Sequence, residues 1–242
     1  MGIPQAAAAQ PRRRSDAGHV RLQQRDLNGL LLIADHYAAP YDLLAAALGA
    51  QPSRLRGIVA RWRAAGYAET GVLGPGPAWC WLTPAGMAAC GHPWPARPPS
   101  LSRLAHVRAV LAARLWLQDS PAWQQGGGWW RSERRIRAAL PPPRVGTGHV
   151  ADAEVHWPSS PPGPHAGQVW AIEAELTPKP SARTARIMAG LLAQPRYARV
   201  VYLAAPAARP VVTATANALP DAQRGRVAVR DLPPAALLHP AG

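Results

Sequence analysis

Residues 168–205 read QVWAIEAELTPKPSARTARIMAGLLAQPRYARVVYLAA, and this stretch decides the fold class. Its first part, 168–176, alternates apolar and polar residues and therefore predicts a strand. Residues 181–194 predict a helix, and the uninterrupted apolar run 200–205 predicts a buried strand. Strands that alternate with helices indicate an α/β layer with a mixed, partly parallel sheet. The predicted fold class is therefore α/β, or α+β when the whole chain is considered.

The neighbouring segments extend this layer in both directions. Helices are predicted at 102–119 and 132–140, followed by a strand at 149–157. After the central stretch we expect a helix near 210–219 and a last strand at 225–232.

The N-terminal part of the chain has a different pattern. Three helices with short connections are predicted within 25–67, and Gly49 and Pro52 separate the second helix from the third. A two-stranded ribbon at 67–73 and 78–83 follows, and then a short closing helix at 83–91. This order predicts a winged helix-turn-helix ahead of the α/β layer.

Composition shifts divide the chain into five segments. The stretch GHPWPARPPS is rich in proline and is predicted to be a semi-rigid linker. The predicted segments are a flexible basic arm at 1–20, the winged helix at 21–91, the linker at 92–100, the α/β domain at 101–235 and a tail at 236–242.

The charge balance points to a polyanionic partner. In 242 residues, 27 Lys and Arg face 13 Asp and Glu, for a formal net charge of +14. With 48% hydrophobic residues the chain can bury a core, yet no apolar run reaches the roughly 18–20 residues of a membrane span. Nothing at the N-terminus resembles a secretory signal. We therefore expect a cytoplasmic protein that binds nucleic acid rather than a membrane, with Cys80 and Cys90 as packing residues.

The third predicted helix carries the candidate DNA-binding residues. On a helical wheel its apolar residues fall on one side, while small residues on the other side are bordered by arginines. These arginines, predicted to contact double-stranded DNA, are Arg54, Arg56, Arg61 and Arg63. The alternative is that they only cover the edges of an apolar stripe with their stems.

The few acidic residues gather on two predicted strands. Asp152 and Glu154 share one face of the strand at 149–157, with Ala151 and Ala153 on the other. Glu173 and Glu175 lie opposite the apolar face of the next strand. Uncompensated clustering of like charges is unfavourable, so we expect either a divalent cation or nearby arginines to balance them.

A site for Mg²⁺ or Mn²⁺ fits this cluster, because both ions take carboxylate oxygens together with water and phosphate. The predicted metal ligands are Asp152, Glu173 and Glu175, and no organic cofactor is predicted. Lys179, the sole lysine, could contact a phosphate, and Glu133 could act as an additional ligand or orienting group. All five are candidate catalytic residues.

The order helix–Glu133, strand–Asp152 and strand–Glu173-x-Glu175, followed by a helix and a buried strand, resembles the restriction-endonuclease-like PD-(D/E)XK nuclease core. Together with the winged helix, it resembles the replication-relaxation family of actinobacterial plasmids and mobile elements over most of 21–232. Ala151 stands at the position of the motif's proline, and Glu175 at the position usually held by lysine.

The resemblance implies a DNA-binding protein of plasmid replication or relaxation, with a metal-dependent nicking activity in the C-terminal domain. Two alternatives remain open: a non-catalytic accessory factor, and a transcriptional regulator with a degenerate nuclease fold. Plasmid replication or transfer proteins, and a second copy of the chain, are further candidate partners. His149 and His156 flank the acidic strand, and the pair Trp129-Trp130 could stack on bases or anchor the core.

Overall fold

The computed structural model describes residues 22–140, 148–160 and 163–237. The predicted basic arm at 1–20 lies outside these residues, as does nearly all of the tail at 236–242. Within the described part of the chain, none of the helices is long and apolar enough to cross a membrane.

The N-terminal elements follow the predicted order, except that an unpredicted two-residue strand separates the first two helices. Pro52 takes the first position of α3, where its missing N–H is not needed, and Gly49 before it has a φ of +56°, which a glycine adopts without strain. The elements are α1 (Gln24–His36), β1 (Ala39–Pro40), α2 (Tyr41–Ala47), α3 (Pro52–Ala64), β2 (Ala68–Gly71), β3 (Trp79–Leu82) and α4 (Pro84–Ala89). Strands β1, β3 and β2 form an antiparallel sheet in that order.

The second part contains the central sheet and the helices that cover it. Its elements are a 3₁₀ turn (Leu101–Arg103), α5 (Leu104–Gln118), α6 (Pro121–Gly126), β4 (Trp129–Ser132), α7 (Glu133–Ala138), β5 (Ala153–His156), β6 (Val169–Glu175), α8 (Ser181–Leu192), β7 (Arg199–Ala204), α9 (Arg209–Asn217), α10 (Asp221–Arg224), β8 (Val227–Asp231) and a 3₁₀ turn (Pro234–Ala236).

The central sheet is mixed, which confirms the predicted α/β class. Its strand order is β4-β5-β6-β7-β8, with antiparallel pairing from β4 to β6 and parallel pairing from β6 to β8. One face, which includes Ile172 and Leu203, packs into the cluster that contains α5. The other face packs on α8 and α9 through Ala171, Val200 and Tyr202. The sheet is therefore the middle of three layers.

The two parts of the chain pack against each other. One continuous cluster of buried residues runs from α1 and α3 into α5 and the central sheet, on both sides of the segment 92–100. Arg135 donates to Asp35 at 2.6 Å, and Arg108, which is buried, donates to Asp42 at 3.0 Å. These contacts join the C-terminal end of α1 to α7 and the start of α2 to α5.

Two local predictions on the acidic strands and their neighbour were wrong. The segment after Gly128 was expected to lead from a loop into a helix, but residues 129–132 form the edge strand β4. Four residues are too few to show alternation in the sequence. Ala151 and Ala153 pack on opposite faces of the sheet rather than on one, because the chain bends at Asp152, before β5 begins.

Candidate functional site

The acidic residues of β6 lie on the face of the sheet that α8 and α9 cover. Glu173 and Glu175 are both buried, as alternation along β6 predicts for residues two apart. In the parallel register, Glu173 is opposite Tyr202 of β7. Two carboxylates are thus removed from water beside the side chain of a tyrosine. Burial of a charged carboxylate lowers the stability of the folded protein unless that carboxylate has a hydrogen-bond or ionic partner.

Asp152 joins this group from the bend before β5. Its Oδ2 accepts a hydrogen bond from the backbone N–H of Ala174 at 2.9 Å, and its Oδ1 lies 3.0 Å from Nε2 of His106. Burial alone lowers the pKa of His106, but the hydrogen bond and the charge of Asp152 outweigh burial and raise it. His106 could not be identified from the sequence, because a single polar residue in the apolar pattern of α5 does not show which side chain it contacts.

Glu173 is the most perturbed carboxyl group of the site. Burial, followed by the charge of Asp152, raises the pKa of Glu173 from 4.5 to about 7. Both of its oxygens lie near Nε2 of His149, at 2.9 and 3.0 Å, and this contact raises the pKa of the histidine. The carboxylates of Asp152 and Glu173 therefore lie close enough to repel each other.

Lys179 turns back toward the strand that precedes it. Its Nζ donates to Oε2 of Glu175 at 2.5 Å, which brings the sole lysine to the edge of the acidic group. The hydroxyl of Tyr202 is buried and has no hydrogen-bond partner among the described residues. Burial, and then the charges of the surrounding carboxylates Glu173, Glu175 and Asp152, raise the pKa of Tyr202.

Glu133 lies next to the group, and its carboxylate is paired with arginines. Its backbone N–H donates to the carbonyl oxygen of Asp152 at 3.0 Å, whereas its carboxylate accepts from Arg103 at 3.1 Å and from Arg137 at 2.8 Å. Of the predicted catalytic residues, Glu133 is thus the one whose carboxylate is engaged by two arginines.

The donor set is suited to a small hard cation. Within 22–140, 148–160 and 163–237, no group of three or more His, Cys, Asp and Glu side chains is arranged to hold a metal ion. Mg²⁺ is commonly held by only one or two carboxylates, with water and substrate phosphate completing its ligands. Asp152 and Glu173 supply such a pair, and the hydroxyl of Tyr202 has spare hydrogen-bonding capacity beside them. Two carboxylates and a hydroxyl are oxygen donors of the kind that Mg²⁺ and Mn²⁺ accept.

A basic cavity of about 610 Å³ lies between the segment 94–103 and α7. Its most buried cation, Arg134, donates to two backbone carbonyls and lies 4.8 Å above the rings of Tyr37 and Trp94. A second cavity, of about 20 Å³, is lined by Tyr37 and Arg103 of the first and also by His106 and Asp152. The arginines that line the large cavity are Arg97, Arg103, Arg134 and Arg137.

The predicted DNA-binding arginines are all exposed on α3, while Leu55, Ile58, Val59 and Trp62 form its buried face. Arg61 also pairs with the buried carboxylate of Asp26 at 3.1 Å, and the indole N–H of Trp62 donates to the same oxygen at 3.0 Å. Asp26 therefore fixes α3 against α1. Arg54, Arg56 and Arg63 have no ion-pair partner in the described part of the chain and project freely into solvent.

Comparisons of the chain with protein-family models, with curated proteins and with solved structures find no match.

Proposed function

We propose that the protein binds double-stranded DNA through α3 and cleaves a phosphodiester bond at the site formed by Asp152, Glu173 and Glu175. The observation that carries the proposal is that Asp152 accepts a hydrogen bond from Ala174, between the buried Glu173 and Glu175, in a protein with a net charge of +14. The setting we infer is the replication or relaxation of a plasmid or other mobile element.

The exposed arginines of α3 support the DNA-binding half of the proposal. Arg54, Arg56 and Arg63 extend from a helix whose outer face, between them, is made of Gly57 and Ala60. Small residues let a helix approach the floor of a groove, while guanidinium groups reach phosphates or guanine edges. Strands β2 and β3 follow α3 directly, as the wing does in a winged helix-turn-helix.

The energetics of the acidic group support the cleavage half. Buried carboxylates that repel each other destabilise a folded protein, and such arrangements are concentrated at functional sites. The basic cavity leads from Arg97 to Arg103, and the small cavity continues from Arg103 to Asp152. The guanidinium groups of the large cavity would attract a phosphate backbone to the part of the surface next to Asp152.

Asp152 and Glu173 would hold the metal ion through their carboxylate oxygens. When bound, Mg²⁺ would supply positive charge to the scissile phosphate and make a water molecule more acidic. Glu175 would accept a proton from that water, and Lys179 would balance charge on the phosphate. The two side chains share a hydrogen bond in the structure. His106 and His149 orient Asp152 and Glu173 through their Nε2 atoms.

Incubation of supercoiled plasmid with the full-length protein and Mg²⁺ tests the proposal. We expect conversion to the nicked form, loss of that conversion in Glu173→Ala, and loss of Mn²⁺ binding by calorimetry in Asp152→Ala. Asp221→Asn is a matched control, because Asp221 is an exposed carboxylate that pairs with Arg224 on another part of the surface. Equal nicking by wild type and Glu173→Ala would contradict the proposed site.

A non-catalytic accessory role is the second candidate, and one observation favours it. Each carboxylate already has a partner within the chain: His106 for Asp152, His149 for Glu173 and Lys179 for Glu175. A protein that binds DNA but neither binds Mn²⁺ nor nicks plasmid would fit this role, or that of a transcriptional regulator with a degenerate nuclease fold.

A further inference from the structure

The two tryptophans at the start of β4 have opposite environments. Trp130 packs into the core, whereas the side chain of Trp129 is 50% exposed. The indole of Trp129 stacks on the imidazole of His156 in the neighbouring strand, with ring centroids 4.0 Å apart and planes inclined by 19°. One face of Trp129 is therefore covered by His156, and the indole still presents a large area to solvent.

A buried ionic network holds this stacked pair in place. Nε2 of His156 lies 2.9 Å from Oε2 of Glu154, and the hydroxyl of Tyr197 donates to Oε1 of Glu154 at 2.8 Å. Glu154 is completely buried. Arg131 and Arg196 each approach Glu154 at 3.2 Å. Two guanidinium groups on one carboxylate leave a net positive charge beside the exposed indole.

The stacked pair lies on the same face of the sheet as the acidic residues of β6. Trp129 is paired with His156, and His156 with Val169, so the three residues form one row across β4, β5 and β6. Glu173 is four residues further along β6 than Val169, which corresponds to about 13 Å at roughly 3.3 Å per residue. That straight-line distance equals a few nucleotides of a DNA strand. Ala171 between the two positions is buried under α8, so a strand that contacts both would pass around that helix.

We propose that Trp129 is a stacking platform for an unpaired nucleobase of the DNA strand whose backbone enters the acidic site, with Arg131 and Arg196 binding the adjacent phosphate. A base inside a duplex has both faces stacked on its neighbours, so only a single-stranded or extruded base can use this indole. The inference rests on the proposed function and narrows its substrate class to DNA that has unpaired nucleotides next to the cleaved bond.

The features of this surface match those of known single-strand binding surfaces in general. Such surfaces combine an aromatic side chain, on which any base can stack, with positive charge that follows the backbone. Trp129 supplies the aromatic face, and its own backbone position in the sheet limits its movement. The network around Glu154 fixes the guanidinium groups, so little side-chain entropy is lost when a strand binds.

The test measures binding of a fluorescein-labelled thymidine oligonucleotide of about 12 nucleotides to the full-length protein by anisotropy, without Mg²⁺. Removal of one stacking residue should weaken binding by about 5- to 150-fold. We expect this loss in Trp129→Leu and near wild-type affinity in Trp129→Phe, which keeps an aromatic face. Trp116→Leu is the matched control, because Trp116 is a tryptophan of α5 that is also exposed, at 43%.

Two further measurements separate this inference from simple misfolding and from the proposed nicking activity. Trp129→Leu should unfold at the same temperature as wild type. It should also bind a DNA duplex as long as the oligonucleotide with wild-type affinity, because we assign duplex binding to α3. Arg196→Ala should weaken binding of the oligonucleotide and reduce its salt dependence.

The inference is overturned if Trp129→Leu binds the oligonucleotide as wild type does, or if it loses duplex affinity to the same extent. These binding measurements do not require cleavage. If wild type does not nick plasmid, and Trp129→Leu loses oligonucleotide binding, the stacking platform is supported although the cleavage proposal fails. If the protein nicks plasmid with Mg²⁺ but its oligonucleotide binding does not depend on Trp129, the cleavage proposal is supported and the stacking platform is overturned.

Discussion

Replacement of Glu173 by glutamine should stabilise the metal-free protein at alkaline pH. Burial, followed by the charge of Asp152, raises the pKa of Glu173 from 4.5 to about 7. A folded-state pKa above the unfolded value means that the folded protein prefers the protonated carboxyl group, so stability is lost as pH rises from about 4.5 through about 7. At about 1.4 kcal/mol per pKa unit, the loss reaches about 3 kcal/mol near pH 8.

The glutamine variant avoids this loss because it carries no titratable group at position 173. Its amide replaces the protonated carboxyl group beside His149, and we assign a cost of about 1 kcal/mol at both pH values to a less favourable hydrogen bond there. We therefore expect Glu173→Gln to be more stable than wild type by about 2 kcal/mol near pH 8, and slightly less stable near pH 5. For a chain of this length, that corresponds to a rise of about 4–8 °C in unfolding temperature at the higher pH.

Urea and thermal unfolding of both proteins at the two pH values, in the presence of a chelator, measure the difference. Glu133→Gln is the control, because the Glu133 carboxylate pairs with Arg103 and Arg137, and its loss should give no gain at either pH. A Glu173→Gln variant that is less stable than wild type near pH 8 would refute the reasoning, since the carboxylate would then be held favourably by its surroundings.

Three further predictions concern α3, the packing of α1 and the acid limit of stability. Arg56→Ala with Arg63→Ala should leave the unfolding temperature unchanged and reduce the slope of log affinity for duplex DNA against log salt by about 2, as a salt titration measures. Gly29→Ala should lower the free energy of unfolding in urea by about 1–3 kcal/mol, because the added Cβ would lie 2.5 Å from the Trp62 ring; an unchanged value would contradict it. Burial holds the pKa of His36 well below 6.5. Below that pH, the free energy of unfolding of wild type should therefore fall by up to about 1.4 kcal/mol per pH unit relative to that of His36→Gln. Urea unfolding of both proteins across acid pH measures this, and parallel curves of unfolding free energy against pH would exclude it.

Periodicity predicted the elements in which one residue pattern repeats over several turns or pleats. The apolar positions of α3, from Leu55 to Trp62, are buried, and the alternation of β6 leaves Glu173 and Glu175 together on one face, as expected. Such patterns are local, because each residue's side is set by the helical or strand repeat of its own segment.

Prediction was poorer where the chain departs from a repeat. The bend at Asp152 changes which face its neighbours occupy, and β4 is too short to show a period. As a result, the different environments of Trp129 and Trp130 could not be predicted from the sequence. The sequence indicated base stacking or core packing for the pair, but not which tryptophan does which.

The sequence by itself determined the α/β class, the order of the longer elements, the basic face of α3 and the presence of acids on one side of β6. Only the tertiary structure decided what meets those side chains: His106 at Asp152, His149 at Glu173, and Asp26 at Arg61. The physical reason is that the repeat of a helix or strand fixes the direction of a side chain relative to its own backbone. Its partner, its burial and therefore its pKa depend on segments tens of residues away, which only packing brings together.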